Sequence, residues 1–126
     1  MTAQRSVLVT GASRGIGRAT AVRLATSGWR VYAGVRSPES ADELAAASGL
    51  ITPVELDVTA SEHVDALAHV LPDALDALVN NAGIAVPGPV ETLSRSDMQR
   101  QFEVNVIGPL AVTNAVLPRL RRARGL

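Results

Sequence analysis

Four short apolar runs punctuate the chain, and each is followed by a stretch with helical character. Residues 7–9, 30–35, 51–56 and 76–79 read as strands. They are near-continuous apolar segments, not strict polar-apolar alternations, which suits a parallel sheet covered on both faces. Between them, residues 16–27 read as a helix closed by Gly28. Ser37 and Pro38 supply an N-cap and a proline at the first helical position of an alanine-rich helix that ends near Gly49. In the third helical stretch Thr59 and Glu62 stand three apart as a capping box, and Val64, Leu67, Ala68 and Leu71 form an amphipathic stripe. Ser94 opens a helix with Met98, Phe102 and Asn105 on one face, Gly108-Pro109 interrupts it, and a last helix runs over residues 110–124.

Strand and helix thus alternate four times, the pattern of βαβ units around a doubly wound, Rossmann-like α/β parallel sheet. The expected strand order is 3-2-1-4. That order puts Pro53, which cannot donate to a ladder, on an outer edge. A length of 126 residues corresponds to one domain, residues 1–126. No apolar run approaches the ~18 residues of a membrane span, and Met1-Thr2-Ala3-Gln4-Arg5 leads into the first strand without a signal-peptide core. Twelve arginines balance twelve acids, which gives no reason to expect a nucleic-acid or polyanionic partner. Cysteine is absent, so neither disulfides nor thiolate metal sites arise, and cytoplasm is the expected compartment. His63 and His69 fall largely outside the apolar stripe and read as solvated residues, not metal ligands. Arg119, Arg121, Arg122 and Arg124 read as cations that complement the dipole of the last helix.

The first strand feeds Thr10-Gly11-Ala12-Ser13-Arg14-Gly15-Ile16-Gly17. Glycines there allow a tight turn, close approach to a ligand and close packing of the following helix, whose free N–H groups suit a phosphate. A P-loop is excluded, because it needs Gly-Lys five residues after the first glycine and the sequence has Ile16 there and no lysine anywhere. The Gly-x-x-x-Gly-x-Gly order also differs from the ordinary dinucleotide fingerprint. It resembles the cofactor turn of the short-chain dehydrogenase/reductase family, as do, in order, Asp57 after the third strand, Asn80-Asn81-Ala82-Gly83 after the fourth, and Val104-Asn105-Val106-Ile107-Gly108.

The resemblance implies an oxidoreductase that moves hydride between a nicotinamide cofactor and a small-molecule carbonyl or alcohol, without nucleic-acid or membrane partners and a homo-oligomer when complete. It implies cofactor contacts from Gly11, Ser13, Arg14, Gly15, Ile16 and Gly17 at the pyrophosphate, Asp57 and Val58 at the adenine, and Asn81, Ala82 and Gly83 along the cofactor. Asp57 can at the same time serve as a turn or cap residue before Thr59. By position Asn105 is the family's catalytic asparagine. Pro109 has no N–H to give the Asn105 carbonyl, which fits a proton-relay water there or a purely structural helix break. No acid follows the second strand until Glu39, whereas Arg36 and Arg14 offer planar forks for a 2′-phosphate, so NADP(H) is expected over NAD(H). The family's catalytic serine, tyrosine and lysine have no counterparts here. The one tyrosine, Tyr32, lies in the second strand, and the family's serine would follow a fifth strand beyond Leu126. The chain therefore reads as the front half of the family's domain, truncated before the fifth strand. A catalytically silent dinucleotide-binding module and a non-functional fragment of a longer enzyme are the alternatives.

Overall fold

The computed structural model describes residues 3–124. Met1 and Thr2 of the expected lead-in, and Leu126 before the expected fifth strand, lie outside the described residues. Four parallel strands, β1 (Ser6–Val9), β2 (Arg30–Val35), β3 (Ile51–Glu55) and β4 (Ala77–Val79), form one sheet in the order β3-β2-β1-β4. The central strand β1 is buried throughout, and Pro53 lies in the outer strand β3.

Alternation along β1 divides the core in two. Val7 and Val9 pack with Val31, Ala33 and Val35 of β2 under helices α1 (Gly15–Thr26) and α2 (Pro38–Ala47), which contribute Ala21, Ala25 and Leu44. On the other face Leu8 and Val54 meet Val64, Leu67 and Leu71 around α3 (Ser61–Val70), and Val112, Val116 and Leu120 of α5 (Gly108–Ala123). Apolar area removed from water on both faces of one sheet is the main favourable contribution, roughly 25 cal/mol per Å². Small side chains at Ala21 and Ala25 let α1 approach the sheet closely. Ser37 caps α2 by accepting the Ser40 N–H at 3.2 Å, as its place before Pro38 predicts.

Several local expectations are corrected. The Thr59–Glu62 capping box does not form: Ala60 occupies the N-cap of α3, because Asp57 Oδ1 draws both the N–H and the hydroxyl of Thr59, at 2.9 and 2.7 Å. A carboxylate two residues away wins that local competition. In the α3 stripe Val64, Leu67 and Leu71 are buried but Ala68 is exposed. Its carbonyl accepts from Arg119, which also donates to Pro72, while Arg122 donates to Asp73. These two arginines therefore satisfy carbonyls at the end of α3, instead of simply complementing their own helix.

Gly108-Pro109 does not break the chain. Helix α4 (Arg95–Phe102), capped by a Ser94–Asp97 box, continues through a π segment, Glu103–Ile107, into α5. The Gly108 N–H reaches back to the Glu103 carbonyl, five residues earlier. A wider turn absorbs the proline that an unbroken α-helix would exclude. No helix among the described residues is long and apolar enough to cross a membrane.

Candidate functional site

The carboxyl ends of the strands converge on a cleft of about 240 Å³. Gly11, Ser13 and Arg14 reach it from the β1–α1 turn, Arg36 from the end of β2, Asp57 and Val58 from beyond β3, and Asn81, Ala82 and Gly83 from beyond β4. Nine residues expected at a cofactor site are thus brought together around one opening. In an open parallel sheet this end, where the chain reverses its winding direction, is where ligands bind.

Thr10 and Asn81 fasten the opening. The buried Thr10 hydroxyl accepts the N–H groups of Asn81 and Ala82 at 3.0 and 2.9 Å, and the Thr10 N–H donates to Val79. In return the Asn81 side chain donates to the carbonyls of Thr10 and Gly11 at 3.2 and 3.0 Å. The turn after β1 is thereby stitched to the loop after β4. Gly11 has φ +63°, and a Cβ there would lie 2.8 Å from Ala82 Cα, so both its conformation and its contact require glycine.

Gly15, Ile16 and Gly17 do not line the cleft. Gly15 is exposed at the start of α1, and Ile16 is 79% exposed. Gly17 is buried behind the turn, where a Cβ would collide with the Gly11 carbonyl and the Asn81 amide. Its role is close helix packing. Arg14, at the N-cap of α1, provides no side-chain cap, so the first N–H groups of the helix remain suited to an anion at the rim.

Asn105 also stands back from the cleft. Its amide grips the backbone of Ile84, donating to the carbonyl and accepting the N–H, both at 2.8 Å. The π segment that carries it contributes Val104 to the cleft wall. Pro109 cannot donate to the Asn105 carbonyl, in keeping with the unusual turn.

Asp57 is held below its ordinary carboxyl pKa of 3.8, first by the Thr59 hydroxyl, then by the Thr59 N–H, with Arg36 adding a nearby positive charge. It is therefore both a turn residue and a wall of the cleft. Sequence reasoning missed His63, which is not a merely solvated residue: Nδ1 accepts the Asp57 N–H at 3.0 Å and Nε2 lies 3.2 Å from Glu55 Oε1. Its place six residues after Asp57, in the first turn of α3, was the available signal. Leu56, Ile84 and Gly34 were also missed as lining residues. Tyr32, as expected, lies in β2, where it packs against the core. Among the described residues no cluster of three or more histidine, aspartate or glutamate side chains forms a metal site.

A parallel sheet in this order, with a glycine turn and an Asn-Ala-Gly loop meeting at its carboxyl edge, defines a doubly wound, Rossmann-like architecture. The family model described as short chain dehydrogenase matches residues 5–126, and the chain belongs to that family. It is 41% identical over 126 residues to human retinol dehydrogenase 5, covering 94% of this chain and 40% of that protein. It is 34% identical to serine 3-dehydrogenase of Agrobacterium fabrum, covering 96% of this chain and 51% of that one. Among solved structures, a short-chain dehydrogenase from Streptomyces avermitilis matches with TM-score 0.89 and 35% identity, over 99% of this chain and 47% of that one. RhlG of Pseudomonas aeruginosa, solved as an NADP active-site complex, matches with TM-score 0.84 and 34% identity, over 96% and 50%. The chain spans about half the length of these relatives or less.

Proposed function

We propose that the chain is the NADP(H)-binding part of a short-chain oxidoreductase acting on a small carbonyl or alcohol. The observation that carries this reading is the pairing of Arg14 and Arg36 on one cleft, with an arginine and not an acid directly after β2. Two guanidinium forks in that position favour a 2′-phosphate, which an acid there would repel. The cleft fits a dinucleotide in other respects. Gly11 leaves the turn open where a side chain could not be placed, and the start of α1 lacks a side-chain cap. Hydride transfer is chemistry the nicotinamide cofactor supplies when bound. The chain's own residues bind and orient: the α1 terminus takes the pyrophosphate, Arg14 and Arg36 the 2′-phosphate, Asp57 and Val58 the base, and Asn81, Ala82 and Gly83 the inner wall. Asn105 braces Ile84 through its amide, which leaves its carbonyl as the group to hold a relay water.

Titration of NADPH and NADH into the chain and into Arg36→Asp tests the reading. A hydrogen bond to a charged group contributes about 1.5–3 kcal/mol, so NADPH is expected to bind roughly ten- to hundredfold more tightly, with the order moving toward NADH in the variant. Equal affinities in the wild type overturn the preference. The sequence has no lysine, and its one tyrosine is in β2, so these 126 residues alone are expected to bind cofactor without turnover. Positioned acid-base groups contribute ~10²–10⁴-fold. Reduction of a simple ketone by the purified chain, abolished in Asn105→Ala, contradicts that expectation.

A further inference from the structure

His63 connects three elements that meet beside the base end of the cleft. Its ring stands in the first turn of α3, it accepts the Asp57 N–H on Nδ1 at 3.0 Å, and its Nε2 faces Glu55 Oε1, at the end of β3, at 3.2 Å. A nitrogen that accepts an N–H carries no proton of its own, so the ring proton is on Nε2. The contact with Glu55 is therefore a hydrogen bond from a neutral imidazole to a carboxylate, not an ion pair.

The consequence lies one residue further on. Asp57 lines the cleft, and its Oδ1 is occupied by both hydrogens of Thr59, which leaves Oδ2 as its free acceptor. Val58, also in the cleft wall, supplies the next backbone N–H. An acceptor beside a donor is the complement of adenine's edge, which offers an amino group next to a ring nitrogen; hypoxanthine presents the reverse. Thr59 fixes the carboxylate of Asp57, whereas His63 fixes its backbone.

On the dinucleotide reading above, we propose that His63 is a positioning residue for base recognition: it holds the Asp57–Val58 turn so that the acceptor and donor face adenine. It touches neither cofactor nor substrate.

The test is calorimetric titration of the chain with adenosine 2′,5′-bisphosphate and with inosine 2′,5′-bisphosphate, which share their phosphates and differ at the base edge. Wild type is expected to prefer the adenosine ligand. His63→Ala is expected to bind that ligand about tenfold more weakly and to lose most of the preference while remaining folded. His63→Asn, whose side-chain oxygen can take the place of Nδ1, is expected to restore both. A preference that survives intact in His63→Ala, or one that His63→Asn fails to restore, overturns the proposal while leaving the dinucleotide reading standing. Binding of neither ligand by folded wild type overturns both. If His63→Ala does not fold, the ¹⁵N shifts of His63 in wild type decide. Acceptor character at Nδ1 and a change on saturation with the adenosine ligand support the proposal; a protonated Nδ1, or no change on saturation, overturns it.

Discussion

The two flanks of the sheet are built to different tolerances. Around β1 and β2 the strands are fully or largely buried, α1 approaches through glycine and alanine, and Gly11, Gly17 and Asn81 interlock without spare volume. Around β4 the strand is only partly buried, α4 buries no residue at all, and Phe102, Val106 and Leu110 are 55%, 52% and 59% exposed. The cleft draws on both flanks. The walls proposed above for the phosphates and the base rest on the close-packed flank, whereas Ile84 and Val104 belong to the open one. Rigid placement is thus concentrated where a cofactor would be held, and the side leading toward Asn105 depends on a few hydrogen bonds to the Ile84 loop.

The largest effect is expected where there is no spare volume. Gly17→Val places branched carbon against the Gly11 carbonyl and the Asn81 amide, both backbone-anchored or doubly bonded. Overpacking of this kind costs about 1–3 kcal/mol, and the rigidity of the neighbours puts this site near 3. Against a total stability of roughly 5–15 kcal/mol, chemical denaturation should show a clear fall in midpoint together with lost cofactor binding. A variant as stable as wild type would show that the close-packed flank has slack after all.

The open flank should respond in the opposite way. Phe102→Ser removes a ring that is mostly in water, so stability is expected to change by no more than about 0.5 kcal/mol. Contiguous exposed apolar groups on α4, the π segment and α5 favour association, as does a half-covered outer strand. Sedimentation of wild type is expected to show concentration-dependent self-association, weakened in Phe102→Ser. A wild type that stays monomeric, or a variant that unfolds, would remove the distinction between the flanks.

Legibility from sequence follows the same division. The close-packed flank is written in local signals: apolar runs for β1 and β2, glycines at the turn, Ser37-Pro38 at the start of α2, and Pro53 marking an edge. With the doubly wound rule these lead to the sheet order, whereas the nine residues at the cleft come from the resemblance to the short-chain dehydrogenase/reductase motifs. What could not be read was competition between partners. Thr59 has two possible hydrogen-bond uses, and only the Asp57 carboxylate decides between them. His63 reads as polar and outside a stripe, because its partners lie in β3 and in the turn before the helix. Gly108-Pro109 reads as an interruption, since residue preferences do not indicate that one five-residue turn can carry the helix past a proline.

The smallest effect separates the flanks most finely. Asp97 closes the α4 cap by accepting the Ser94 N–H at 3.1 Å while Ser94 Oγ accepts the Asp97 N–H at 3.0 Å. Its pKa is lowered below 3.8, first by the Ser94 hydroxyl and then by the Ser94 N–H. Asp57 is lowered below the same value by Thr59. A depressed folded-state pKa means that each carboxylate's contribution is fully present above its unfolded value, near 3.8, and is lost as pH falls through the lower folded value. Neither carboxylate should therefore contribute a change between pH 7 and about 5, and the loosening each controls should begin below about 4. The flanks then diverge. The Asp57 turn is backed by the Leu56 N–H bonded to Val35 and by the buried Leu56 and Val58 side chains on either side of it. Helix α4 has no buried side chain behind its cap. Hydrogen-exchange protection factors are accordingly expected to fall in the first turn of α4 before they fall in β1 and β2. Ser94→Ala at pH 6 should reproduce the α4 change alone. Simultaneous loss of protection in α4 and the central strands would mean that the two flanks open as one unit.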